Sequence, residues 1–348
     1  MTLPPIDHAY LLRFLTGLLN TPSPTGFAHE AVEFVIREMG SFSEVSLQRS
    51  RKGALLAELP GERKDAPRMI TAHIDTLGAL VKEIKPNGRL RLSKIGGYAW
   101  NTVETEGLTI FTNAGQRVRG SLLFEKASAH IFQGKVNETQ RADENMEVRL
   151  DARTTGIGET RALGISVGDF VAFDPRVEVV NGFIRSRHLD DKAGAACLAA
   201  AVKALHDAGL KPHQKATLLF TNYEEAGHGA SGVPEDIAEF LVVDMAAVGD
   251  GQNSDEFHAS LCVKDSGGPY HHELSQRLRH LAEGHGIDYR VDIYPFYSSD
   301  GTALWKAGRD VAVALIGPGV DASHNYERTH LDSLVDTTRW ILAYLLSA

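Results

Sequence analysis

The sequence predicts an α/β protein with one doubly wound sheet and a β-rich domain inserted into it. Three observations carry that expectation. Apolar strands alternate with helical patterns before about residue 76 and again after about residue 180. Between these positions helical periodicity nearly disappears, and short strands with turn signals take over. In the outer segments, polar residues recur at the ends of apolar strands.

The 348-residue chain is long enough for about two domains. With 43% hydrophobic and 23% charged residues it has the composition of a globular protein. A net charge of -9 with no offsetting Lys/Arg cluster argues against a nucleic-acid surface, and carboxylates gathered around metal ions would add to that excess. Cys197 and Cys262 both lie in apolar stretches, which excludes a disulfide scaffold and points to a reducing compartment. No basic segment followed by a long apolar run opens the chain, and no stretch has the length to cross a membrane. A cytoplasmic protein with neither nucleic-acid nor membrane partners is expected.

Leu11, Leu12, Leu15, Leu18 and Leu19 fall at helical spacing within residues 8–20. Thr21 to Gly26, which contains two prolines, ends that helix as a loop. Val32, Val35, Ile36 and Met39 share a face of a second helix over 27–39. Short strands are expected at 45–48 and 54–59, a polar turn at 61–67, and a buried strand at 68–75. In the β-rich region, Lys85-Pro86-Asn87-Gly88 between Val81–Ile84 and Arg89–Leu92 is a hairpin signal. Further strands are expected at 108–112, 117–123, 168–173 and 177–180, with one helical stretch near 158–163. These read as a barrel or sandwich over 76–180. An alanine-rich helix at 189–204 follows, then strands at 216–222 and ending at 242–244. A helix at 273–283, a strand at 311–316 and a terminal helix at 331–346 complete the chain.

The chemistry-bearing residues sit where these elements end. His73 and Asp75, two apart on one strand, share a face, so Asp75 can approach the ring nitrogen that a metal would leave free. Taken alone, His-x-Asp is most often a surface pair. Asp190 and Asp191 precede the alanine-rich helix, and capping explains one aspartate more naturally than two. Thr221–Gly229 places Glu224 and Glu225 after an apolar strand, where neighbouring side chains of an extended segment point apart. One can bind a cation while the other faces a substrate, although a lone Glu-Glu pair is most often solvated. Asp244 ends another strand, and a His-rich loop from Asp321 to His330 precedes the last helix. Carboxylates and imidazoles together suit zinc or a similar divalent ion. His271 and His272 begin a helix and read as solvated.

In their order, Ala72-His73-Ile74-Asp75, Gly78, Ile95-Gly96-Gly97, Leu163 to Asp169, Leu189 to Gly194, Glu224-Glu225-Ala226-Gly227 and Val243-Asp244 carry a family likeness. The chain resembles the dinuclear metallo-aminopeptidases of metallopeptidase family forty-two, whose better-known members form tetrahedral dodecamers. The resemblance spans nearly its full length. It implies a doubly wound mixed sheet flanked by helices, as in zinc peptidases, from residues 1–75 and 181–348. It implies a small inserted β-barrel at 76–180, serving oligomerisation or substrate access. Two divalent ions per subunit are implied, zinc foremost and cobalt or manganese as alternatives, with His73, Asp190, Glu225, Asp244 and His324 as ligands. Asp190 would bridge the ions, Glu225 and Asp244 would be terminal ligands, Asp75 would back His73, and Glu224 would be the general base. Asp191 would support the Asp190 backbone and the helix start. Tyr297–Thr302 resembles the family's loop beside the substrate, and reads equally well as a helix-capping turn. The implied activity is removal of N-terminal residues from short peptides, by a dimer-based homo-oligomer extending to a dodecamer.

The end of the chain departs from the family pattern. Counting from Ile316-Gly317 puts His324 where the family has its last histidine, with Glu327 following. The rival is His330, which a capping box at Thr329-x-x-Asp332 would place in the first turn of the final helix. Thr76 replaces a commonly acidic residue and His228 a commonly apolar one, so substrate preference does not transfer. Three other readings stand beside the aminopeptidase: an amidase or deacylase acting on a small acylated amino acid or dipeptide, an endoglucanase, and an inactive binding relative. Glycoside hydrolysis needs two carboxyls and no metal, whereas these carboxylates come with histidines.

Overall fold

The computed structural model describes residues 2–348. These form two compact units, one comprising the described residues up to Asp75 together with Arg176–Ala348, the other Thr76–Pro175.

Among the described residues of the larger unit, one mixed sheet contains 13 strands. Its centre is parallel: Gln214–Thr221, Arg63–His73, Glu239–Val243 and Ala312–Asp321 lie side by side in that order. Buried parallel strands read as continuous apolar runs because both faces are covered. Here the pleat sends Ile70, Ala72, Leu241 and Val243 into one core and Met69, Phe240 and Val242 into another. The helices His8–Leu19, Leu189–Ala208 and Leu331–Leu346 cover the first face. Alanine dominates the middle of these, so its small side chains let it pack at once against both neighbouring helices and the strand Arg63–His73. Leu304 of the helix Asp300–Lys306, with Tyr270 and Tyr294, packs on the second face.

In the smaller unit, six antiparallel strands close a barrel, which decides between the two β architectures that the sequence leaves open. Their order is Gly78–Ile84, Leu90–Ile95, Met146–Leu150, Arg117–Phe124, Gly107–Phe111 and Phe170–Phe173. The expected hairpin joins the first two, closed by Lys85 N–H on the Arg89 carbonyl (2.8 Å) and by Gly88 at φ +80. Alternate residues such as Ala79, Val81, Leu90, Leu92, Leu122 and Phe124 fill the interior.

Some elements depart from expectation. Arg63–Pro67, expected as a turn, is the exposed first half of the long strand Arg63–His73, whose run of charges disguises it. Glu178–Val180, expected to close the insert, pairs with Phe183–Ser186 in the large sheet. Glu327–His330, within the expected His-rich loop, is a strand paired with Phe183–Ser186. Among the described residues, no helix is long and apolar enough to cross a membrane.

Candidate metal centre

Parallel strands release their chains at one edge of the sheet, where ligands of open α/β proteins gather. Thr221 and His73 are register partners at that edge, and Val243 ends the neighbouring strand. Asp190, Glu224, Glu225, Asp244 and His324 converge on it.

His73 is 2% exposed. Its Nδ1 lies 2.9 Å from the main-chain oxygen of Asp75, which can only accept, so Nδ1 carries a proton and Nε2 faces the site. The sequence expectation put the Asp75 carboxylate behind the ring; its Oδ1 stands 3.8 Å from Nδ1 and has other work. Asp75 Oδ1 accepts from Glu224 N–H (3.3 Å), and Oδ2 accepts from Glu225 N–H (3.4 Å) and the Thr25 hydroxyl (2.7 Å). Asp75 thus fixes the turn that carries both glutamates. The chain has left the extended conformation by then: the strand ends at Thr221, and Glu224 and Glu225 lie in a turn after Tyr223 at φ +77. The pair still diverges. Glu224 Oε2 is 3.8 Å from His73 Nε2, while Glu225 Oε2 is 3.6 Å from His324 Nε2.

Asp190 lies between the two histidines, with Oδ1 2.9 Å from His73 Nε2 and Oδ2 3.3 Å from His324 Nε2. Asp190 and Asp191 are non-helical, and the peptide between them is cis. Asp191 accepts from His73 N–H (3.2 Å) and Gly194 N–H (3.1 Å), tying strand end to helix start. Gly194 permits this contact: a Cβ there would meet Asp191 Oδ1 at 2.4 Å and the Val243 carbonyl at 2.7 Å. His188, Tyr223 and His324 all hold left-handed φ without being glycine, a costly conformation that concentrates at functional sites.

Atoms of His73, Asp190 and Glu225 lie within 4.8 Å of one another, and His324 adjoins the last two. Asp244, 3% exposed, acts on His73, Asp190 and Glu224 through its charge, and its Oδ1 accepts from Met245 N–H (2.7 Å). His330, the rival ligand, stands elsewhere. It is the N-cap of Leu331–Leu346, its side chain accepting from Asp332 N–H (3.2 Å), and its ring packs on Phe183 and Phe257. The capping box expected from Thr329 is therefore displaced by one residue; Thr329 lies in a strand and donates to the Gly319 carbonyl (2.6 Å). His271 also caps a helix, and His272 is exposed.

The electrostatics are those of an acid-rich cluster short of cations. Burial, reinforced by Asp190, pushes Glu225 up to about 8 and Asp244 up to about 7. Burial, then Asp244, Asp300 and Glu225, raise Glu224 against the opposing pull of His73. Burial pushes the His73 imidazole down, but the Asp190 hydrogen bond and the surrounding carboxylates outweigh it and hold the ring well above its ordinary value. Glu225 Oε1 is buried without a hydrogen-bond partner among the described residues. Carboxylates, imidazoles and an unpaired buried acceptor fit divalent cations of the zinc type.

Four participants have no individual role assigned from the sequence. Glu327 Oε2 accepts from Asp190 N–H (3.1 Å) and Oε1 from His324 N–H (3.0 Å), so one buried carboxylate positions two candidate ligands. Asp300 accepts from the Thr221 hydroxyl (2.5 Å) and Ala230 N–H (2.7 Å). The Thr21–Gly26 loop delivers Thr25 to Asp75. Lys52 donates to the His228 and Gly229 carbonyls, and the His228 ring stacks on Tyr223 at 5.2 Å.

Fold and site together fit an α/β hydrolase of the metallopeptidase type. Residues 53–339 match the family model described as M42 glutamyl aminopeptidase. A Bacillus subtilis (strain 168) protein named "Putative aminopeptidase YhfE" is 44% identical over 338 residues, covering 97% of each chain. The TET aminopeptidase of a marine sediment Thaumarchaeota archaeon superposes with TM-score 0.88 at 17% identity, over 97% of this chain and 96% of that one. The Pyrococcus horikoshii TET1 peptidase, which can assemble into a tetrahedron or a large octahedral shell, gives TM-score 0.85 at 21% identity, over 97% and 100%. The chain belongs to the M42 family of aminopeptidases, hydrolases that act at N-terminal peptide bonds.

Proposed function

We propose that the protein is a dinuclear metal-dependent aminopeptidase that removes N-terminal residues from short peptides, with Glu224 as general base. The observation that carries this reading is the Asp190 carboxylate, whose two oxygens face two different histidines at 2.9 and 3.3 Å. That orientation suits a bridge between two cations. His73 and Asp244 would hold one, Glu225 and His324 the other, with zinc foremost and cobalt or manganese as alternatives. Such ions acidify water and polarise the scissile carbonyl.

The chain's own residues supply orientation and proton transfer. Glu224 takes the proton that the attacking water loses and delivers it to the departing nitrogen as the C–N bond breaks; the second water proton, lost from the new carboxyl group, leaves with the amine, so the products are a carboxylate and an ammonium. Asp75 holds the main chain of Glu224 and Glu225 while this happens. The surplus of buried carboxylates also gives a free N-terminal ammonium a complementary field. Self-assembly of the kind described for the Pyrococcus horikoshii relative would restrict entry to short peptides.

Amine release from aminoacyl-anilides, measured before and after chelation and after zinc or cobalt add-back, tests the reading. Chelation should abolish turnover and add-back restore it; turnover indifferent to chelator would sink the metal mechanism. Glu224→Gln should keep its metal while losing about 10²–10⁴ in kcat, and a fully active variant removes Glu224 as base. Preference for N-blocked over free-amine substrates would transfer the site to amidase chemistry.

A further inference from the structure

Tyr297 belongs to the turn between the strand Tyr289–Ile293 and the helix Asp300–Lys306. Its main chain is pinned on both sides. The Tyr297 carbonyl accepts from Ser266 N–H (2.9 Å), and Ser299 caps the helix through Gly301 N–H (3.2 Å). Asp300 then ties the helix to Thr221, at the end of the strand that leads to Glu224. The Tyr297 ring rests on Tyr294 at 5.4 Å, and the Tyr294 hydroxyl is itself fixed 2.6 Å from Ser254 Oγ. The phenol therefore has little freedom.

Its hydroxyl is buried and makes no hydrogen bond among the described residues. An unpaired buried hydroxyl carries a real cost, and structures keep one where a ligand supplies the partner. The charges that act on it include those of Asp244, Asp190 and Glu224, so it lies near the candidate centre. It acts on the neighbouring Asp244 carboxylate and favours that carboxylate's charged form. A phenol carries its proton at neutral pH, so this hydroxyl is available to the reaction as a donor.

We propose that the Tyr297 hydroxyl is a catalytic hydrogen-bond donor to the scissile carbonyl oxygen, strengthening as that oxygen gains charge in the tetrahedral transition state. This rests on the aminopeptidase reading above and adds a group that the ligand set does not include. A fixed donor aimed at a developing oxyanion contributes without reorganisation, and loss of one such donor costs about 10²–10³ in kcat.

Tyr297→Phe removes the oxygen and keeps the ring that packs on Tyr294. The variant should lose about 100-fold in kcat on an aminoacyl-anilide, change KM by less than about twofold, and retain the metal content of the parent. A phosphinate dipeptide with a free amine, a tetrahedral mimic, should bind the variant more weakly by about the same factor as the loss in kcat/KM. Inhibition by the free amino acid product should not change. An unchanged kcat overturns the proposal. So does a variant that loses metal, or that loses product and phosphinate affinity equally, because Tyr297 would then support Asp244 instead of the substrate. Failure of the underlying reading is seen separately, as parent protein that releases no amine with metal restored; the phosphinate comparison still reports on the hydroxyl.

Discussion

Glu239 and Asp244 bracket a single strand, and their surroundings treat a negative charge in opposite ways. Glu239 meets the Arg277 guanidinium, the Tyr344 hydroxyl (2.8 Å) and Arg68 Nε (3.3 Å). Burial pushes its carboxyl up, but Arg277 and the other donors outweigh this and leave it below its ordinary value. At the other end, burial and Asp190 push Asp244 up to about 7, against the pull of His73 and Tyr297. Both ends bury charge. Only the first includes enough cations of its own, since breaking even from buried charge requires pairing. The first cluster is complete as folded, while the second has the composition of a site awaiting positive charge.

That contrast is most sharply tested by removing the charge from the complete end. Glu239→Gln leaves Arg68 and Arg277 without their carboxylate, and should cost about 2–3 kcal/mol, below the value for a fully buried pair because the side chain is partly exposed. Activity per folded molecule should be preserved. Equilibrium denaturation with parallel kinetics checks both, and a variant with parental stability but impaired kcat would reverse the roles assigned to the two ends.

A smaller effect is expected within the incomplete end. Glu327 holds Asp190 N–H and His324 N–H through separate oxygens, and glutamine retains only one acceptor. Supporting residues of this kind typically govern metal affinity by 10–100-fold, so Glu327→Gln should weaken binding by about tenfold or more in chelator competition. Unaltered metal affinity would show that His324 and Asp190 keep their places without it.

These two ends were not equally legible in the sequence. His73, Asp190, Glu224, Glu225 and Asp244 each interrupt an apolar run, and the periodicity on either side marks where the strand or helix stops. That signal also carries the sheet, the flanking helices and the hairpin at Lys85–Gly88. The supporting contacts were silent because they join distant positions: Thr25 to Asp75, Thr221 to Asp300, and Asp190 to Glu327, 137 residues apart. Nothing local at Glu327 separates a positioning carboxylate from a solvated one. The strand Glu327–His330 was hidden for a related reason, since Glu-Arg-Thr-His has no apolar alternation and owes its form to pairing with Phe183–Ser186. Likewise Arg68 and Glu239 look like ordinary surface charges until the fold brings them together with Tyr344.

The smallest expected effect follows from the protons at the incomplete end. Glu225, Asp244 and Glu327 are held up at about 8, 7 and 8 in the metal-free site by burial and neighbouring charge. In the unfolded chain they titrate near 4. Between those limits the folded state binds more protons than the unfolded one, so stability falls as pH rises. His73, raised by its carboxylate neighbours, acts in the same sense, because its extra proton is also lost as pH rises. Asp190, held low by His324 and His73 despite burial, is charged in both states across neutrality and adds no slope. Chelated protein should therefore melt lower at pH 8 than at pH 6, by at least about 1.5 °C, the shift that about 1 kcal/mol produces in a chain of this length. Metal add-back should reverse the trend, since deprotonated ligands bind cations better and the gain grows with pH. Glu239, held below its ordinary value, contributes nothing to this slope and loses its stabilisation only in acid, as pH falls through its folded pKa. A chelated protein whose melting temperature rises from pH 6 to pH 8 would mean that the strand-end carboxylates already have their cations within the chain, and the contrast between Glu239 and Asp244 would collapse.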